Sequence, residues 1–162
     1  IVTLLSGIPL DVQTGLSGQY FGLAANAPGG FRPDLVPGQP IYLHGADHTV
    51  YINPAAFKAP APGQFGNLKR GFVRQPGLTN IDFSLAKNWK IHERYGIQLR
   101  AEMFNLFNHT NFNGFDPGLG LSPNRDANGK FLGTFAATNG NFGRLNSDRG
   151  PRNIQFGVKF NF

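Results

Sequence analysis

The last ten residues, NIQFGVKFNF, alternate without a break. Ile154, Phe156, Val158, Phe160 and Phe162 are apolar, while Asn153, Gln155, Gly157, Lys159 and Asn161 are polar or small. A period of two sends successive side chains to opposite faces of a strand, so this pattern suits a sheet whose two faces meet different surroundings. The alternation holds to the final residue, where a chain ending in water usually frays.

Three further segments repeat it. Val2, Leu4, Ile8, Leu10 and Val12 share one parity, broken only by Ser6. Ile81, Phe83, Leu85, Trp89 and Ile91 alternate with Asn80, Asp82, Ser84, Ala86, Asn88 and Lys90. Tyr95, Ile97, Leu99, Ala101, Met103 and Phe107 stand against Gln98, Arg100 and Glu102. The pattern predicts strands near 1–14, 79–91, 95–108 and 152–162. Good helix formers in LRAEMFNLFN offer a rival helix, but the upstream alternation and the short link to the preceding segment favour a strand.

Parity also sets the register of the second and third segments. With a three-residue turn at His92, Glu93 and Arg94, Trp89 faces Ile97, Leu85 faces Ala101 and Phe83 faces Met103. A two-residue turn would set every apolar side chain opposite a polar one. Between the strands run two long connections, roughly 15–77 and 109–150, rich in Gly, Pro, Asn and Ala. Structureless loops of that length are uncommon inside compact soluble domains. Short turns alternating with very long loops are the habit of outer-membrane barrels.

Composition agrees. The 162 residues include 22 Gly, 12 Pro and 16 Phe, one Trp and no Cys, a mixture suited to strands and turns rather than helices. No stretch approaches the length of a spanning helix, and the absence of Cys excludes a disulfide scaffold or thiolate metal site. The net charge of +6 invites a nucleic-acid reading. Yet the only adjacent basic pair is Lys69-Arg70, and the rest are scattered singly, so no nucleic-acid partner is expected. The opening, IVTLLSGIPLDVQTG, starts inside a strand-like segment with neither Met nor signal sequence, as if cut from a larger protein.

Three stretches carry a family resemblance: NPAAFKAPAPGQFGNLKRGFVRQPGLTNIDFSLAKNWKI, LRAEMFNLFNHTNF and FGRLNSDRGPRNIQFGVKFNF. They resemble the C-terminal end of TonB-dependent receptors, nearest the Oar-like subgroup with a carboxypeptidase-regulatory-like domain. The likeness is good over residues ~50–162 and loose before them, and RQPG departs from the subgroup's usual Arg-Gly-Pro-Gly in a loop. It implies an all-β fold: part of an antiparallel up-and-down transmembrane β-barrel, about four strands, incomplete, with two long extracellular loops. It further implies energised transport across the outer membrane of a Gram-negative bacterium. The expected partners are outer-membrane lipid and lipopolysaccharide, the barrel-assembly machinery, and the TonB system through a segment N-terminal to this one. The barrel-assembly signal of such receptors falls here on Gln155, Gly157, Phe160 and Phe162.

The physics of a barrel wall fits the same residues. Ten residues at ~3.3 Å each, tilted by ~45°, span about 23 Å, close to the apolar band of an outer-membrane barrel. Trp89, Tyr95 and Phe162 fall at the same end of their strands and form an expected aromatic girdle. Lys87 shares the lipid-facing parity but can extend its ammonium to the interface beside Trp89. Arg100, Glu102 and Asp82 would point into the lumen.

Other functions find less support. Asn124, Asp126, Asn128 and Gly129 have calcium-loop offsets, but Phe135 occupies the place of the bidentate Glu; an Asn128-Gly129 hairpin tip is the plainer reading. His44, Asp47 and His48 lie close in sequence without a third His, and read as solvated loop residues. GLSGQ is not a nucleophile elbow and no phosphate loop is present, so neither enzymatic activity nor a cofactor is expected. Phe104, Phe107 and Phe112 suit wall packing better than ligand stacking. Ten basic residues, Arg32, Lys58, Lys69, Arg70, Arg74, Arg125, Lys130, Arg144, Arg149 and Arg152, lie in or beside the loops. They form a solvated surface or contact lipopolysaccharide phosphates or an anionic ligand. The alternatives are a surface β-rich adhesin or glycan-binding module and a passive outer-membrane barrel.

Overall fold

The computed structural model describes residues 1–27, 29–44, 49–91 and 95–162. Its strands are β1 (Val2–Leu5), β2 (Pro9–Leu10), β3 (Asp34–Leu35), β4 (Phe57–Lys58) and β5 (Val73–Arg74). There follow β6 (Leu78–Ile81), β7 (Phe83–Lys90), β8 (Gly96–Phe104) and β9 (Phe112–Phe115). The last are β10 (Leu121–Arg125), β11 (Phe131–Ala137), β12 (Leu145–Asp148) and β13 (Asn153–Asn161). Two short 3-10 turns, Gly18–Phe21 and Pro54–Ala56, complete the elements, and none of the described helices is long and apolar enough to cross a membrane.

The chain divides into two compact units. A sheet unit takes Ile1–Gly7, Pro76–Phe112 and Asp148–Phe162; a connection unit takes Ile8–Gln75 and Asn113–Ser147.

In the sheet unit β13, β8 and β7 form an antiparallel three-stranded sheet in that order, and β6, separated from β7 by Asp82, pairs with β1. The register of β7 on β8 is the one that parity requires: Phe83 opposite Met103, Leu85 opposite Ala101 and Trp89 opposite Ile97. Ile91 N–H donates to the Tyr95 carbonyl at 2.9 Å, closing the ladder beside the turn. The turn itself, residues 92–94, lies outside the described residues. Leu5, Leu78, Phe104 and Asn153, where the chain leaves and re-enters the sheet, all lie at the opposite end.

Two strands end earlier than their periodicity suggests. The first, expected over 1–14, is only Val2–Leu5 within the sheet; Pro9–Leu10 belongs to the connection unit and pairs with β5. The break falls at Ser6, the one interruption of parity. The third, expected to 108, stops at Phe104 because Asn105 and Asn108 adopt left-handed backbone, each at φ 52°. Asn tolerates that conformation better than most residues. Asp82 secures the bend by accepting from Asn105 N–H at 3.0 Å and from the Asn80 amide at 2.9 Å.

The two long connections, expected as loops with a hairpin at Asn128-Gly129, contain that hairpin and are also folded together. The connections at 15–77 and 109–150 supply most of a unit with its own core, which includes Val12, Ile52, Leu68, Val73, Leu119 and Phe142. Backbone hydrogen bonds tie one connection to the other: Leu119 N–H donates to Gln13, Leu121 N–H to Thr14, and both Tyr51 and Ile52 N–H to Gly143. Short pairs, β2 with β5, β3 with β4 and β10 with β11, frame this core. Glycine and proline here shape an irregular but buried structure, since every buried peptide group must find a partner.

Candidate functional site

The register turns the alternation into two chemically distinct faces. Directly paired residues of an antiparallel ladder share a face. One face therefore carries the rows Phe83–Met103–Ile154, Leu85–Ala101–Phe156, Lys87–Leu99–Val158 and Trp89–Ile97–Phe160. Lys87 is its only polar side chain. The other carries Ser84–Glu102–Gln155, Ala86–Arg100–Gly157, Asn88–Gln98–Lys159 and Lys90–Gly96–Asn161.

The polar face makes its own bonds. Arg100 and Glu102 pair at 2.7 Å, and the Gln98 amide donates to Asn88 Oδ1 across the strands at 2.8 Å. The apolar face has no such partners. Phe156 is 80% exposed, Phe160 65% and Phe162 97%. A continuous apolar surface of this kind is far from what a chain presents to water, and its natural contact is a hydrocarbon phase or another apolar surface. The described sheet therefore has the chemistry of a wall between an apolar medium and an aqueous one.

The terminal residues occupy defined places on that wall. Gln155 lies opposite Glu102 and Gly157 opposite Arg100 on the polar face, and Phe160 lies opposite Ile97 on the apolar one. Phe162 follows the Asn161–Gly96 pair, which puts it level with Tyr95. Trp89, Tyr95 and Phe162 thus gather within the last rows beside the short turn, and all three are exposed.

The remaining sequence candidates separate. Asp126 closes the β10–β11 hairpin, its Oδ1 accepting from Asn128 N–H at 2.9 Å and Lys130 N–H at 2.8 Å, with Gly129 at φ 81°. It caps a turn, as the Asn128-Gly129 reading expects. His44 is exposed, and Asp47 and His48 lie outside the described residues; no group of three or more metal-binding side chains occurs among those described. Phe104 and Phe107 are exposed and Phe112 is half-buried. Of the basic residues, Arg70 pairs with Asp11 at 3.4 Å, while Arg125 donates to the Gly129 carbonyl at 2.8 Å.

Sequence reasoning missed two features. Asn111, only 4% exposed, hydrogen-bonds the backbone of β6. Tyr20, Phe131 and Phe135 line one groove of the connection unit. Residues 131 and 135 share a parity on β11 and could have been read as one face; nothing local links them to Tyr20.

A family model described as an outer membrane beta barrel domain matches residues 1–155. No curated protein and no solved structure matches the chain.

Proposed function

The chain belongs to the outer membrane beta barrel domain family and is located in the outer membrane of a Gram-negative bacterium; from that premise we propose that it is part of the wall of a TonB-dependent receptor, Oar-like in type, that moves a substrate across the membrane at the expense of inner-membrane energy. The three quoted stretches, above all FGRLNSDRGPRNIQFGVKFNF, carry this reading by their resemblance to such receptors. The apolar rows face lipid and the row of Glu102, Arg100 and Gln98 faces the lumen. In this reading the connection unit is extracellular, and a folded connection with its own core suits ligand capture better than a bare pore would require.

The terminal strand has a second role in the same proposal. Gln155, Gly157, Phe160 and Phe162 are read by the barrel-assembly machinery, and β13 then closes the wall, because an open strand edge has no partner in lipid. Trp89, Tyr95 and Phe162 form the interfacial girdle, and Lys87 reaches that interface with its ammonium.

In vivo cross-linking between TonB and the full-length protein tests the transport reading. A TonB adduct that strengthens when substrate is supplied in spent medium is expected. A correctly assembled barrel that gives no adduct under any growth condition would mark it as a passive barrel.

A further inference from the structure

The connection unit holds a groove of about 540 Å³, within the size range of small-molecule sites. Its apolar lining includes the rings of Tyr20, Phe131 and Phe135, with Leu16, Leu121 and Pro123 beside them. The rings brace one another. Tyr20 meets Phe135 edge-on with centroids 5.1 Å apart, and Phe135 meets Phe131 at 5.2 Å. The Tyr20 hydroxyl donates to the Pro60 carbonyl at 2.6 Å. Burial, and then the charge of Asp34, hold that phenol above its ordinary range.

The polar lining is lopsided. Among the described residues Arg125 is the only ionised side chain on the groove, and neither Asp nor Glu lines it. One guanidinium nitrogen donates to the Gly129 carbonyl, which steadies the group while leaving its other donors available. The next residue, Asp126, spends a carboxylate oxygen on its own turn. Gln19 also lines the groove, and its side-chain amide makes no hydrogen bond among the described residues.

We propose that this groove binds a small planar aromatic anion, whose rings pack on Phe131, Phe135 and Tyr20 while Arg125 takes its carboxylate and Gln19 supplies a further polar contact. The rings provide flat apolar area of fixed geometry, and a guanidinium on the lining, with no carboxylate among the described lining residues, favours negative charge. The inference names a ligand class for the receptor reading; it rests on that reading for the ligand's transport but not for its binding.

The test is calorimetry of the full-length protein in detergent micelles with 2-naphthoate, its neutral analogue 2-naphthylmethanol and the cation 2-naphthylmethylammonium, with protein-free micelles as blanks. The expected order is naphthoate tightest, the neutral compound about 10-fold weaker and the cation weakest. Arg125→Gln, an exposed change that leaves the rings in place, should abolish the preference between naphthoate and the alcohol. Phe131→Ala should weaken both. Equal naphthoate affinity in wild type and Arg125→Gln, no naphthoate binding to wild type, or preference for the cation would each overturn the proposal. Purified protein needs no TonB here, so failure of this experiment and failure of the cross-linking experiment are separate results.

Discussion

The side chain of Asn111 forms both hydrogen bonds of a strand neighbour with the backbone of Thr79. Thr79 N–H donates to Asn111 Oδ1, and Asn111 Nδ2 donates to the Thr79 carbonyl, each at 2.9 Å. The reason lies in β8, which turns away at Asn105 and leaves the far edge of β6 without a continuous partner. Leu106 N–H serves Ile81, and the Asn111 amide serves Thr79. Asn111→Leu should remove two part-buried hydrogen bonds to the Thr79 backbone and cost about 1–3 kcal/mol. Urea unfolding of the refolded barrel in lipid vesicles measures it, and a change below about 0.5 kcal/mol would show the amide to be dispensable.

The two faces make a sharper expectation at adjacent positions. Leu85 lies in the apolar rows, and Ser84, its neighbour, faces Glu102. Leu85→Arg should destabilise the membrane-inserted barrel by about 2–4 kcal/mol if it lies near the midplane. Ser84→Arg places its charge opposite a carboxylate and should change stability by no more than about 1 kcal/mol. Equal effects in the same vesicle unfolding assay would mean that the faces are assigned wrongly.

At the terminus, deleting Phe162 or changing Phe160 to Asp should block assembly in the membrane rather than alter ligand affinity. The measurement is heat-modifiable gel mobility of the full-length protein from outer membranes. Accumulation of the truncated protein as a folded barrel at normal levels would refute the assembly role.

Gly143 tests the connection unit separately. It has φ 75°, and a Cβ there would collide with the Ile52 carbonyl, whose own N–H donates to the Gly143 carbonyl. Gly143→Ala combines left-handed strain with overpacking, a loss of about 1–3 kcal/mol. Limited proteolysis on intact cells should cut within 8–75 or 113–147 faster in the variant, with gel mobility of the barrel unchanged. Unchanged cleavage would show that the close approach is tolerated.

The sheet was legible where periodicity was long and local. Trp89 opposite Ile97 follows from parity once the turn has an odd number of residues, because any other register inverts a whole face. The end of β1 at Leu5 was hinted by Ser6, whereas Asn105 had to be seen at positive φ before β8 could be shortened. The connection unit was not legible. Val12, Ile52, Leu68, Leu119 and Phe142 come from distant points separated by Gly- and Pro-rich chain, with no period to join them. Nor does any spacing bring Tyr20 to Phe135, a contact made wholly by tertiary structure.

The division of the chain bears on inheritance. The chain passes between the units at 7/8, 75/76, 112/113 and 147/148, so the connection unit is assembled from two insertions with the β7–β8 hairpin encoded between them. Neither insertion owns the core: Gln13 needs Leu119, and Ile52 needs Gly143. Recombination that replaced one insertion alone would join half of one core to half of another. On the receptor reading proposed above, a new specificity would pass between such genes with both insertions together, or through point changes that leave the shared core intact.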